Sequence, residues 1–203
     1  MFKALLISDK GPHTSFGRVT TSFRRALANL GWKVDTCLIS SDTYFPDGKP
    51  ESKHIIHSPS FHKGFFKYKS EIKKIIMQCK PDWVFIIRPE LGFLVPTIKR
   101  SNSDSVVTAM IHDTFAETLY PYNLKFWIIN KLFIKNIVKS DGFVFNSEWT
   151  RKMALKHWKN LSGKKHVVGC VLNTKDFYPT TMPKNDLRML WGLNTSGKIY
   201  LNT

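Results

Sequence analysis

The chain has 203 residues, 42% hydrophobic and 23% charged, which is ordinary globular usage with room for one good-sized core or a domain with an appendage. The only apolar stretch near the start is Ala4 to Ile7, too short for a secretory signal, and no run approaches the roughly 20 residues that span a bilayer. The net charge of +16 is spread evenly, 17 Lys/Arg against 8 Asp/Glu over residues 1–100 and 14 against 7 over 101–203, so it fits either polyanionic partners such as nucleic acid, anionic lipid or sugar phosphates, or a solvated lysine surface.

Residues 2–8 read as a compact apolar strand ended by the turn residues Asp9, Lys10, Gly11 and Pro12. Val19, Phe23, Ala26, Leu27 and Leu30 then recur at helical spacing, and Gly31 supplies a stop. Residues 33–39 form a second strand. The stretch 43–62, broken by Pro46, Gly48, Pro50 and Pro59, is a loop around a short strand at 54–57. An amphipathic helix follows, with Phe65, Tyr68, Ile72, Ile75 and Ile76 on one face and Lys67, Lys69, Lys73 and Lys74 on the others.

Trp83 to Ile87 is apolar throughout, the pattern of a strand buried on both faces. A short helix is expected over 91–100, a buried strand over 106–111, a long helix over 123–138 and a strand over 142–145. The next helix opens at Asn146-Ser147-Glu148, where Asn or Ser can cap free backbone N–H groups. Residues 166–172 give one more strand. Strands alternating with helices, several of them apolar throughout, specify an α/β fold: a doubly wound, Rossmann-like parallel sheet with helices on both faces.

Ligands in such sheets bind beyond the carboxyl ends of the strands. The first such loop carries Gly11 and Gly17 but matches neither the dinucleotide glycine fingerprint nor the phosphate-binding P-loop, since Arg18 and Val19 follow Gly17. A glycine beside a helix start lets backbone N–H groups approach a phosphate, and a plain tight turn accounts for it equally. His112, Asp113 and Thr114 stand at another strand end. A histidine there can orient a sugar hydroxyl or relay a proton, with the carboxylate setting its tautomer, or it can be a structural hydrogen-bonder. Arg88 and Glu90, and Asn146 and Ser147, occupy equivalent positions. Ordinary surface is the alternative for the first pair and helix capping for the second.

There is no D-x-D pair for a metal-held nucleotide and no G-x-S-x-G elbow. The three cysteines, Cys37, Cys79 and Cys170, are odd in number and lack C-x-x-C spacing with nearby His, so neither a disulfide framework nor a zinc site is suggested, and a reducing cytoplasm fits.

Several segments in order resemble the retaining GT-B group called glycosyltransferase family 4. They are the loop ending Ser15-Phe16-Gly17-Arg18 before a helix, the strand ending His112-Asp113, the run Ser140 to Glu148, and the run Val168 to Pro179, which is similar to the segment leading out of that family's first domain but lacks its usual Asn-Gly. The resemblance implies an N-terminal GT-B domain over 1–172. Residues 173–203 would then be an interdomain linker and the start of a C-terminal donor-binding domain, with Asp186 to Leu193 as a short helix and Lys198 to Asn202 as that domain's first strand.

The same resemblance implies a retaining transfer of sugar from a UDP- or GDP-sugar, bound as substrate, to a hydroxyl of a glycan or glycolipid acceptor. No metal and no tightly bound cofactor are implied. His112 and Asp113 would serve catalysis, Ser15, Phe16, Gly17 and Arg18 would meet the donor phosphates, and Arg88, Glu90, Thr114, Asn146 and Ser147 would line the acceptor side. The isolated chain would be inactive. The missing half would come in cis or from a partner subunit, in the cytoplasm or peripherally on the membrane's cytoplasmic face. A non-catalytic basic domain binding membrane or nucleic acid is the competing reading. The aromatics and lysines of residues 61–74 suit an anionic membrane surface or single-stranded nucleic acid, the latter the less favoured partner, and a core-packed helix with a solvated basic face is the plainer account.

Overall fold

Along the first strand, Leu5 and Ile7 pack into one hydrophobic cluster while Ala4 and Leu6 pack into another, so both faces of the sheet are dry. The computed structural model of the chain describes residues 1–9, 14–40, 53–57, 65–112, 124, 135–158, 161–169, 186 and 189, the side chains of Ser15, Ser40, Phe65 and His157 excepted. The elements are β1 (Lys3–Ser8), α1 (Ser15–Asn29), β2 (Lys33–Ser40), β3 (His54–His57), α2 (Phe65–Cys79) and β4 (Trp83–Ile86), then a 3₁₀ turn (Pro89–Leu94) and α3 (Val95–Ser101). After them come β5 (Val106–Ile111), a second 3₁₀ turn (Lys135–Lys139), β6 (Gly142–Phe145), α4 (Glu148–His157) and β7 (Lys164–Val167). The chain divides into two compact units, Met1–Val171 and Leu172–Thr203. In the second, Asp186 and Met189 are helical and exposed.

The seven strands form one sheet in the order β3-β2-β1-β4-β5-β6-β7, every neighbouring pair parallel. The chain winds outward from β1 to β3 and then crosses back to place β4 on the other side of β1. The topological switch point therefore lies between β1 and β4, where Ile7 pairs with Ile86. One face packs Tyr68, Ile72 and Ile76 of α2, Ile98 of α3 and Ala154 of α4 against Leu5, Ile39, Ile86, Ile111 and Phe145. The other packs α1, through Val19, Phe23 and Leu27, against Leu6, Phe85 and Met110. This is the doubly wound, Rossmann-like parallel sheet read from the alternation of elements.

Local chemistry explains where elements end. Thr14 caps α1 by accepting a hydrogen bond from the Gly17 N–H at 3.1 Å, and Gly31, at φ +80°, takes the left-handed conformation that stops the helix. The single helix expected over 91–100 is instead a 3₁₀ turn followed by α3, because Pro96 has no N–H and would clash with the preceding turn inside a continuous helix. It is tolerated within the first turn of a fresh one. The last strand is Lys164–Val167, two residues earlier than its apolar run suggests, since β6 sets the register and pairs Gly142 with Lys164. As an edge strand it accommodates lysines. Of the helix expected over 123–138, only Leu124 and the turn at Lys135–Lys139 are described.

The β6–β7 junction is tight enough to test. A Cβ built on Gly163 would meet the Asp141 carbonyl oxygen at 2.5 Å and its carbon at 2.6 Å, whereas one on Gly169 meets nothing within 4 Å. Gly163→Ala should cost about 1–3 kcal/mol by forcing backbone apart, and Gly169→Ala should leave stability near wild type. Urea unfolding midpoints of the two variants check this.

Candidate functional site

The carboxyl ends of the central strands bring together residues distant in sequence. Arg88, just past β4, donates from Nη1 to Asp9 Oδ2 at 2.7 Å, an ion pair that closes the switch point between β1 and β4. Its Nη2 donates to Glu90 Oε1 at 2.5 Å. The Arg88 and Asp9 side chains are only 16% and 10% exposed, and Glu90 29%, so the ordinary-surface reading of Arg88 and Glu90 is overturned. The guanidinium also lies over the Phe16 ring, 4.9 Å from its centroid, within cation–π range. Phe16 also meets His112, whose ring is nearly perpendicular to it with centroids 4.7 Å apart.

Each side chain is placed by its element. Phe16 sits in the first turn of α1 and packs into the α1-side cluster, which fixes the ring that both Arg88 and His112 contact. His112 follows directly on β5 and is half-buried. Its carbonyl accepts from Asn146 Nδ2 at 2.8 Å, tying the end of β5 to the residue after β6. Asn146 Oδ1 in turn accepts from Thr150 Oγ1 at 2.7 Å, and Ser147 Oγ caps α4 by accepting from the Thr150 N–H at 3.1 Å. Capping is thus the observed role of Ser147, and Asn146 braces the His112 backbone.

Electrostatics within the cluster are set by two carboxylates around one guanidinium. Burial pushes the Glu90 carboxyl above its ordinary value, Arg88 opposes that, and Asp9 adds to it. Glu90 Oε2 and Arg88 Nε are buried and make no hydrogen bond among the described residues, so both are positioned to meet a polar group. The Gly17 N–H is taken by Thr14. At this helix start the helix itself supplies no partner for the amides of Ser15 and Phe16, the arrangement that receives anions. Arg18 is exposed. Of the residues expected at the site, Phe16, Arg88, Glu90, His112 and Asn146 are joined in one network, with Asp9 as the member that the sequence left among turn residues. Asp113 and Thr114 lie outside the described residues.

A parallel doubly wound sheet whose switch point carries a polar cluster beside a helix N-terminus is a Rossmann-like domain. Residues 16–176 match the profile of Glycosyltransferase Family 4, and the chain belongs to that family. No curated protein matches it by sequence. Among solved structures it is similar to sucrose-phosphate synthase from Thermosynechococcus elongatus, with TM-score 0.70 and 18% identity over 96% of this chain and 53% of that one. It is similar also to UDP-N-acetylglucosamine 2-epimerase from Rickettsia bellii, with TM-score 0.61 and 14% identity over 96% and 52%. A third likeness is to Phytolacca americana UGT2 complexed with UDP-2fluoro-glucose and pterostilbene, with TM-score 0.54 and 9% identity over 86% and 55%. At these identities the likeness is one of fold, and the chain spans about half the length of each structure.

The raised Glu90 pKa gives a pH signature. A group whose folded pKa is raised contributes stability that is full below the ordinary glutamate range and is lost as pH rises through the folded value. The stability of wild type relative to Glu90→Gln should therefore fall as pH is raised upward from the ordinary glutamate range. Denaturant midpoints of both proteins across that window check the sign, and a rising difference would contradict it.

Proposed function

We propose that this chain is the acceptor-side half of a retaining GT-B enzyme that moves a sugar from a UDP- or GDP-sugar to a hydroxyl of a glycan or glycolipid. The observation that carries this reading is the cluster of Phe16, Arg88, Glu90 and His112 at the switch point, in a chain of this family. Family membership supports transferase chemistry. The UDP-sugar in the Phytolacca americana structure supports a nucleotide-sugar donor.

In this reading the bond between the sugar C1 and the leaving phosphate oxygen breaks while the acceptor oxygen bonds to C1 on the same face. The acceptor proton passes to the departing diphosphate, so no protein nucleophile is required. His112, with Asp113 beside it, positions a hydroxyl at the reacting centre. The first turn of α1, from Ser15 to Arg18, approaches the donor phosphates through backbone amides. Glu90 Oε2 and Arg88 Nε offer an acceptor and a donor to acceptor hydroxyls, and Thr114, Asn146 and Ser147 complete that wall. A donor-binding domain entered from residue 173 onward, or a partner subunit, supplies the nucleotide site, and the enzyme works in the cytoplasm or at the membrane's cytoplasmic face.

His112→Ala in the complete enzyme should lower sugar transfer by about 10²-fold or more, as for other positioned acid, base or hydrogen-bonding groups, with folding intact. A histidine that only packs on Phe16 would behave oppositely, with the melting temperature falling and specific activity near normal. Transfer rate and melting temperature measured on one preparation separate the two. The 203-residue chain alone should turn over a nucleotide sugar far below about 1 s⁻¹.

A further inference from the structure

The far side of β2 gathers chemistry that the strand-end cluster does not use. Asp35, Cys37 and Ile39 alternate onto the face covered by α2, and β3 joins β2 with His54 opposite Cys37. Ile56 packs into the α2-side cluster, which puts His54, two residues before it, on that same face. Cys79 closes α2 and packs against the cluster from above. One ligand atom each from Asp35, His54 and Cys79 thus falls within 4.8 Å of the others, all three half-buried. The three lie toward the amino ends of the strands, since Asp35 pairs with Leu5, His54 begins β3 and Cys79 precedes β4. They are at the opposite end of the sheet from Arg88 and His112.

We propose that Asp35, His54 and Cys79 form a binding site for one borderline-soft divalent cation of the Zn²⁺ class, with the fourth position open to water. The donor set is one carboxylate oxygen, one imidazole nitrogen and one thiolate, all within Zn²⁺ chemistry. Cys79 Sγ and His54 Nε2 stand 3.4 Å apart. With Zn–S near 2.3 Å and Zn–N near 2.0–2.1 Å, a tetrahedral angle puts those atoms about 3.5 Å apart, so both can ligate with little movement. The site is independent of the transferase reading.

Two alternatives have less support. A nucleophilic cysteine needs a lowered thiol pKa, but burial, and then the Asp35 carboxylate, hold the Cys79 thiol above its ordinary value. A plain surface ion pair describes only Asp35 and Lys53, whose Nζ donates to Oδ2 at 2.9 Å. The Cys79 thiol is also hydrogen-bonded to Asp35 and to His54, so the three side chains already converge on one point, and a cation there would replace the thiol proton. The Lys53 side chain is 54% exposed, so it can swing away and leave that oxygen to a cation.

The test is titration of the full chain, carrying Cys170→Ser to remove the third cysteine from the readout, with Zn²⁺ against a chromophoric chelator and with Co²⁺ by absorption. One equivalent of Zn²⁺ should bind at micromolar or tighter affinity, and Co²⁺ should show a thiolate-to-metal charge-transfer band. Cys79→Ser should abolish the band, and His54→Ala should weaken Zn²⁺ at least about 10-fold, since outer-shell partners alone are worth about 10–100-fold. Lys53→Gln should tighten binding several-fold by removing a competing cation. Absence of stoichiometric binding and of the cobalt band in the otherwise wild-type chain would overturn the proposal without reference to any variant's folding. So would an affinity that Cys79→Ser and His54→Ala leave unchanged.

Discussion

The ion pair between Arg88 and Asp9 fixes the geometry on which the strand-end site depends. It joins the residue after β1 to the loop after β4, the two strands between which the winding of the sheet reverses. Among the described residues the backbone pairing of these two strands ends with the Ile87 N–H donating to the Ile7 carbonyl at 3.0 Å. Beyond it the Arg88–Asp9 side-chain link joins the two loops. Arginine suits this because its rigid fork can serve two carboxylates at once, Asp9 on one nitrogen and Glu90 on the other. A buried pair of this kind is weak evidence for net stability but strong evidence for a defined geometry, because removing one partner strands the other charge away from water.

The rest of the site is built outward from that anchor by packing. Phe16 belongs to both the α1-side core and the cluster, touching both Arg88 and His112. The register of α1 on the sheet therefore sets where the His112 ring lies. The cap at Thr14 and the left-handed Gly31 define the two ends of α1, and Val19, Phe23 and Leu27 clamp its apolar stripe to Leu6 and Phe85. Asn146 completes the arrangement from β6 by holding the His112 carbonyl. In this way a core decision and a site decision are the same decision.

Much of this was legible in the sequence because the two signals involved are local. Period-two and period-3.6 patterning located the strands and helices, and a parallel sheet puts its loops at one edge, so His112, Arg88 and Asn146 could be placed at a common edge before any contact was known. What stayed hidden depends on pairing between distant segments. Asp9 was read as a turn residue, since nothing near it in sequence shows the partner 79 residues away. The break at Pro96 was visible as a proline, but a continuous apolar run over 91–95 masked it. Asp35, His54 and Cys79 come from three elements, and only the β2–β3 register and the return of α2 bring them together. No spacing rule for metal ligands covers that case.

Charge distribution bears on how the switch point could recognise an anion. The chain carries +16 overall, yet the Arg88 guanidinium at the switch point faces two carboxylates. With both ionised, that trio carries no positive excess. Exposed lysines of α2 such as Lys67, Lys73 and Lys74 project from the helix on the other face of the sheet, which supplies long-range attraction but no contact geometry. Recognition of a phosphate at the strand ends would therefore rest on the amides and dipole of the first turn of α1 rather than on Arg88. The arginine then acts by holding in place the ring and the loops that shape that turn's surroundings.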